Sequence, residues 1–137
     1  MVEPQLQEIE SRLGITLPPR YRALLLDFPP QLFKPDAKEG TEWAWMGEDS
    51  GLFHTVASAV AYNQSVREPG FLPVNMETEP WPAEYLIIGT NGAGDHFCVR
   101  LGTDGDRVFR FSGEEGLFKD TGKSLAEHVD QVIAWGW

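Results

Sequence analysis

The side chains able to act as nucleophiles, metal ligands or proton carriers are few and scattered. His54, His96 and His128 are the only three histidines, and no two of them stand at metal-ligand spacing. Cys98 is the single cysteine, so it can neither complete a structural zinc set nor close an internal disulfide. Asp95-His96 has the composition of an acid–base pair. Adjacent side chains in a strand point to opposite faces, however, so Asp95 is expected to hydrogen-bond the backbone of the glycine-rich turn before it. Cys98 alternates with Phe97 and Val99 and is expected to be a buried, inert thiol. Thr121-Gly122-Lys123-Ser124 resembles the end of a phosphate-binding loop. That loop requires a glycine five positions ahead of its Gly-Lys pair, whereas Gly116 lies six ahead of Gly122 and only one helix follows. Gly89, Gly92 and Gly94 join two strands rather than a strand and a helix, so they read as a turn and not as a dinucleotide site. No catalytic set, metal site or cofactor site emerges, and the expectation is a non-enzymatic chain without cofactor.

The elements that would position these residues are legible from periodicity. Val2, Leu6, Ile9 and Leu13 form one helical stripe, with Pro4 in the first turn and Gly14 as the stop. Leu17-Pro18-Pro19 makes an extended joint, and Tyr21, Leu24, Leu25 and Phe28 give a second amphipathic helix that Pro29-Pro30 ends. From Thr41 the period changes to two. Glu42 to Met46 reads as a strand with Trp43 and Trp45 on one face, and Gly51 to His54 as a second short strand. Thr55 caps a third helix whose inward side carries Val56, Ala59, Val60 and Asn63. Residues 69–83 form a proline-interrupted loop. Tyr85 to Ile88, Asp95 to Leu101 and Arg107 to Phe111 then read as three strands of an antiparallel meander. Ser124 and Glu127 make a capping box for the last helix, whose apolar stripe is Leu125, Val129, Val132 and Ile133. The expected fold is α+β, an antiparallel meander packed with about four helices, two of them N-terminal and one C-terminal, in a single domain spanning residues 1–137.

Charge narrows the functional classes. Twenty-one acidic against eleven basic residues leave a net charge of −10. Such a surface repels phosphate backbones and offers no basic amphipathic stretch to an anionic membrane, so neither nucleic acid nor membrane is expected as a partner. A basic protein is the partner that this charge would steer and select, although acidity alone also serves solubility. The N-terminus lacks the pattern of a signal peptide, and no apolar run approaches the roughly 20 residues of a membrane span, which points to a cytoplasmic chain.

The order of these elements, with the local words in them, resembles the SUKH superfamily and in particular its branch named after the Smi/Knr cell-wall assembly regulators. The resemblance rests on Ile9-Glu10 ahead of Leu13-Gly14, then Leu17-Pro18-Pro19-Arg20-Tyr21. It continues through Leu86-Ile87-Ile88-Gly89 with Gly92-Ala93-Gly94-Asp95, Asp106-Arg107-Val108-Phe109, and the closing helix opened by Ser124-Leu125. Phe28-Pro29-Pro30 stands where many members carry an asparagine–glycine–glycine turn. The resemblance implies helices on an antiparallel sheet and a protein-binding role without catalytic residues. Bacterial members are associated with immunity to polymorphic toxins, many of them nucleases, and eukaryotic members with regulatory scaffolding. Leu17, Pro18, Tyr21, Gly89, Gly94 and Asp95 then belong to the fold signature.

Two regions are candidate partner-binding surfaces. Trp43 and Trp45 would supply rigid aromatic anchors if their strand face is uncovered, and core residues if it is not. In the loop that follows the third helix, Glu77, Glu79 and Glu84 gather acids around Trp81, which suits a basic toxin domain and equally suits a solvated loop. The alternatives to an immunity protein are a regulatory scaffold domain without a toxin partner, and a small enzyme or ligand-binding domain built on the Gly89–Asp95 turn.

Overall fold

The structure is a computed structural model that describes residues 1–32, 51–68, 81–91 and 94–135. The expected strand over residues 42–46, and with it Trp43 and Trp45, lies outside the described residues, as do Glu77 and Glu79.

Helix α1 runs Glu3–Leu13 and buries Leu6 and Ile9. Val2 departs from the expected stripe. It occupies the N-cap, where its N–H donates to Gln5 Oε1 at 2.8 Å, and its side chain is exposed. Helix α2, Pro19–Leu26, buries Tyr21 and Leu25 and ends at Asp27, with Phe28 buried just beyond it and a 3-10 turn over Pro30–Leu32. Arg22 ties α2 to α1 by donating to Glu3 Oε2 at 2.9 Å, and the Leu17 N–H donates to Glu10 Oε2 at 2.9 Å. Helix α3, Val56–Arg67, begins at Thr55, whose Oγ1 accepts from the Ser58 N–H at 3.2 Å, and buries Ala59, Val60, Asn63 and Val66.

Four strands follow: β1 Tyr85–Thr90, β2 His96–Arg100, β3 Arg107–Ser112 and β4 Leu117–Ser124. They pair consecutively and antiparallel in the order β1-β2-β3-β4, with irregular registers at Ile87/Gly89 and at Arg107/Phe109. The meander thus has one strand more than the apolar pattern indicates, and β1 runs through Gly89 to Thr90. Helix α4, Leu125–Ala134, starts with the expected capping box, each of Ser124 and Glu127 accepting the other's backbone N–H at 3.1 Å. Leu125, His128 and Val132 are its buried residues, while Val129 and Ile133 pack at the margin of the core.

The sheet carries different material on its two faces. Phe97 meets His128 of α4 at a ring separation of 4.6 Å, which sets α4 against that face. On the other face Tyr85, His96, Phe111 and Phe118 form an aromatic layer around Trp81; Tyr85 stacks on Phe118 at 4.0 Å and Trp81 meets Phe118 edge-on at 5.0 Å. Aromatic pairs at these separations add to what burial of their surface contributes.

Candidate functional site

The residues marked by the family-like words converge on structural joints. Leu17 and Tyr21 are buried, each 2% exposed. The Pro18 carbonyl accepts from the Arg22 N–H at 2.9 Å, and the Arg20 N–H donates to the Asp104 carbonyl at 2.9 Å, which docks the start of α2 on the turn between β2 and β3. A Cβ on Gly105 would stand 2.6 Å from Pro18 Cβ, so that contact requires glycine.

Gly89 sits where the chain over residues 51–53 crosses β1. A Cβ there would lie 2.0 Å from the Gly51 carbonyl oxygen. The Gly51 and Phe53 N–H groups donate to the carbonyls of Thr90 and Ile88 at 2.6 and 2.8 Å, so the segment read as a short strand runs antiparallel along the outer edge of β1. Gly51 itself holds φ at 77°, a left-handed conformation open to glycine. Its carbonyl accepts from His128 Nε2 at 3.3 Å. Burial pushes the His128 pKa down to about 4, with Lys123 adding to the fall and the Gly51 hydrogen bond opposing it, so the ring is neutral at neutral pH.

Among the described residues the Asp95 carboxylate takes the Asn91 side chain and reaches across to the next turn, instead of bonding the backbone of the turn before it. Oδ1 accepts from the Gly113 N–H at 3.0 Å, and Oδ2 accepts from Arg110 Nε at 2.8 Å and from Asn91 Nδ2 at 3.1 Å. The β1–β2 turn is thereby latched to the β3–β4 turn. Gly113 allows this approach, since a Cβ there would stand 2.5 Å from the Gly94 oxygen, and Gly94 supplies a left-handed φ of 95°. Burial by itself would raise the Asp95 carboxyl; the bonds from Arg110, Gly113 and Asn91 outweigh it and hold the pKa below the ordinary carboxylate value.

His96 takes a different environment from its neighbour. Its ring stacks on Phe111 at 6.0 Å and meets Trp81 and Tyr62 edge-on, and burial lowers its pKa against the pull of Asp95. Asp95 and His96 therefore engage separate partners, as expected for neighbours entering a strand. Cys98 is fully buried, and burial pushes its thiol pKa far up, away from the thiolate. The Thr121–Ser124 stretch closes β4 and supplies the N-cap of α4. Among the described residues no group of three or more His, Cys, Asp or Glu side chains could hold a metal ion, and no helix is long and apolar enough to cross a membrane.

Of the candidate partner-binding residues, Trp81 and Glu84 are described. Trp81 is 6% exposed and its Nε1–H donates to the Tyr85 carbonyl at 3.0 Å, so it anchors the loop exit in the aromatic layer rather than presenting its face to solvent. Glu84 beside it is exposed. Three residues that hold the frame carry little sequence signal. Asn63 spans the β1 edge, its Nδ2 donating to the Ile87 carbonyl at 2.9 Å and its Oδ1 accepting from the Ile87 N–H at 2.8 Å. Arg67 donates to the Tyr85 carbonyl at 2.8 Å. Gly51 is the third. Asn63 was expected on the inward face of its helix, but its spacing there does not show which backbone groups it would satisfy.

Two open depressions accompany this frame. One, of about 400 Å³, is lined mainly by Asp104, Asp106, Glu127 and Arg107; the other, of about 300 Å³, lies between β3–β4 and α4. The model of the SMI1/KNR4 family (SUKH-1) matches residues 3–134, so it takes in every joint just described. Comparison with curated proteins and with solved structures returned no significant match. With its α+β architecture and a family match along nearly the whole chain, this protein belongs to the SMI1/KNR4 (SUKH-1) family.

Proposed function

We propose that this domain acts by binding another protein, without catalysis, and that it is an immunity protein that neutralises a basic toxin domain by direct contact. The observation that carries the reading is the family match over residues 3–134. The net charge of −10 supports it, because a basic partner is drawn to such a surface and an acidic competitor is turned away. The signature residues are consumed in holding the frame: Asp95 in a latch, Leu17 and Tyr21 in the core, Gly89 under the crossing segment. Function would then reside on surface that the signature leaves free to vary.

We assign the toxin contact to the two candidate regions, Trp43 with Trp45 and Glu77 with Glu79 and Glu84; Trp81, at 6% exposure, is a packing residue and not a contact residue. Co-expression supplies the test. The full chain should restore growth of cells producing the toxin encoded beside it, and should co-purify with that toxin. Replacing Glu77, Glu79 and Glu84 together by Lys should slow association and weaken its salt dependence. Unchanged association rates at low salt would remove this surface from the proposal, and absence of protection by the wild-type chain would remove the immunity role.

A further inference from the structure

On a chain this acidic, the depression between β3–β4 and α4 has the opposite sign. Its walls carry three cations, Arg110, Lys119 and Lys123, against one carboxylate, Asp120. Those groups are not equally available. Arg110 is committed to Asp95, Lys119 forms an exposed ion pair with Glu115 at 2.5 Å that a partner carboxylate would have to replace, and Asp120 lies 3.6 Å from Arg107. Lys123, by contrast, donates to the neutral amide of Gln131, which links β4 to α4 across the groove. Beside the Ser124 hydrogen bonds its charge helps to lower the Glu127 pKa, but among the described residues no carboxylate forms an ion pair with it. The far wall is aromatic: Trp135 is 38% exposed and packs beside Phe97 at 5.9 Å and His128 at 6.4 Å.

The adjoining strand is open as well. β4 lies at the end of the sheet order, no further strand pairs with it among the described residues, and Leu117, Lys119, Asp120 and Gly122 along it are exposed. An edge strand offers backbone donors and acceptors to an extended chain. We propose that this groove docks a short acidic segment of a partner protein, laid along β4 with its carboxylates on Lys119 and Lys123 and an apolar side chain against Trp135. An acidic occupant follows from the cations, an extended one from an edge that no strand among the described residues pairs with. A nucleic acid fits less well, because the groove is small and the surface around it repels phosphate.

This surface is separate from the acidic one assigned to the toxin, and the two can fail independently. The ¹⁵N-labelled full chain is titrated with a blocked peptide of about eight residues, alternating Glu with Val around a central Phe. The same peptide with Lys for Glu, and an oligothymidylate of similar length, serve as comparisons. Saturable shifts at residues 117–124 and at the Trp135 indole are expected for the acidic peptide alone. Affinity should fall about tenfold in Lys119→Glu/Lys123→Glu, and several-fold on raising salt from about 50 to about 300 mM. Lys119→Gln/Lys123→Gln, which adds no repulsion within the fold, should show an intermediate loss. Equal binding of the Lys peptide, preference for the oligothymidylate, shifts confined to other surfaces, or indifference to both double variants would each overturn the proposal.

Discussion

The two edges of the sheet are managed in opposite ways. Along β1 the outward groups are met by other segments: Tyr85 O by Arg67 and the Trp81 indole, Ile87 by the two ends of the Asn63 amide, Ile88 O and Thr90 O by the Phe53 and Gly51 amides. The residues of β1 are buried on both faces. β4 has polar residues along its length, a lysine near each end, and exposure at half its positions. A strand buried on both faces cannot leave its backbone unpaired, because each orphaned group would cost about 1–3 kcal/mol. A half-solvated strand can leave that task to water. The difference separates the part of the molecule that defines the family fold from a part free to take on a partner.

The comparison can be broken most directly at Gly89. Gly89→Ala should push residues 51–53 off β1, losing two hydrogen bonds and straining the backbone, for about 4 kcal/mol of stability in denaturant unfolding. Asn63→Ala should cost about 3 kcal/mol, since it strips both partners from buried Ile87. Should either variant unfold at the wild-type denaturant midpoint, the β1 edge is not the load that the geometry implies.

Burial of His128 beside Gly51 makes the same edge pH-dependent. The folded pKa is depressed to about 4 while the unfolded ring titrates near 6.5, so below about 6.5 the unfolded chain takes up a proton that the folded chain refuses. Stability is full above that pH and falls by about 2–3 kcal/mol as pH drops to about 4. His128→Gln keeps a donor for Gly51 without a titration and should flatten the profile over this window. A parallel pH profile for variant and wild type would assign the loss elsewhere.

Smaller effects sharpen the contrast. Asp95→Asn should cost about 1–2 kcal/mol at neutral pH, as the latch to Arg110 loses its charge. That contribution is present above the ordinary carboxyl value of 3.8 and is lost as pH falls through the depressed folded pKa, so the two proteins should converge in acid. On the other edge, Lys119→Ala should change stability by no more than about 0.5 kcal/mol, because its charge and stem are solvated.

Legibility in sequence followed burial. The helix starts at Thr55 and at Ser124 were readable because capping chemistry is local, and β1 to β3 because their apolar residues recur at the right period. β4 was not, since an edge strand needs no alternating apolar face, and Leu117-Phe118-Lys119-Asp120-Thr121-Gly122-Lys123 shows none. Glycines at 89 and 94 were recognisable as words, but the reason for the first was not: the obstacle to a side chain at 89 is Gly51, nearly forty residues away in the chain, whereas Gly94 holds a left-handed φ of 95°.

By itself the amino-acid order determined the helices, most of the meander, the acidity and the family-like words, all properties set by short-range spacing or by sums over residues. The tertiary structure decided which polar groups close the β1 edge, that Trp81 turns inward, and that cations gather beside β4 on an acidic chain. Those outcomes depend on which segments meet across long stretches of sequence, and spacing along the chain carries no record of that.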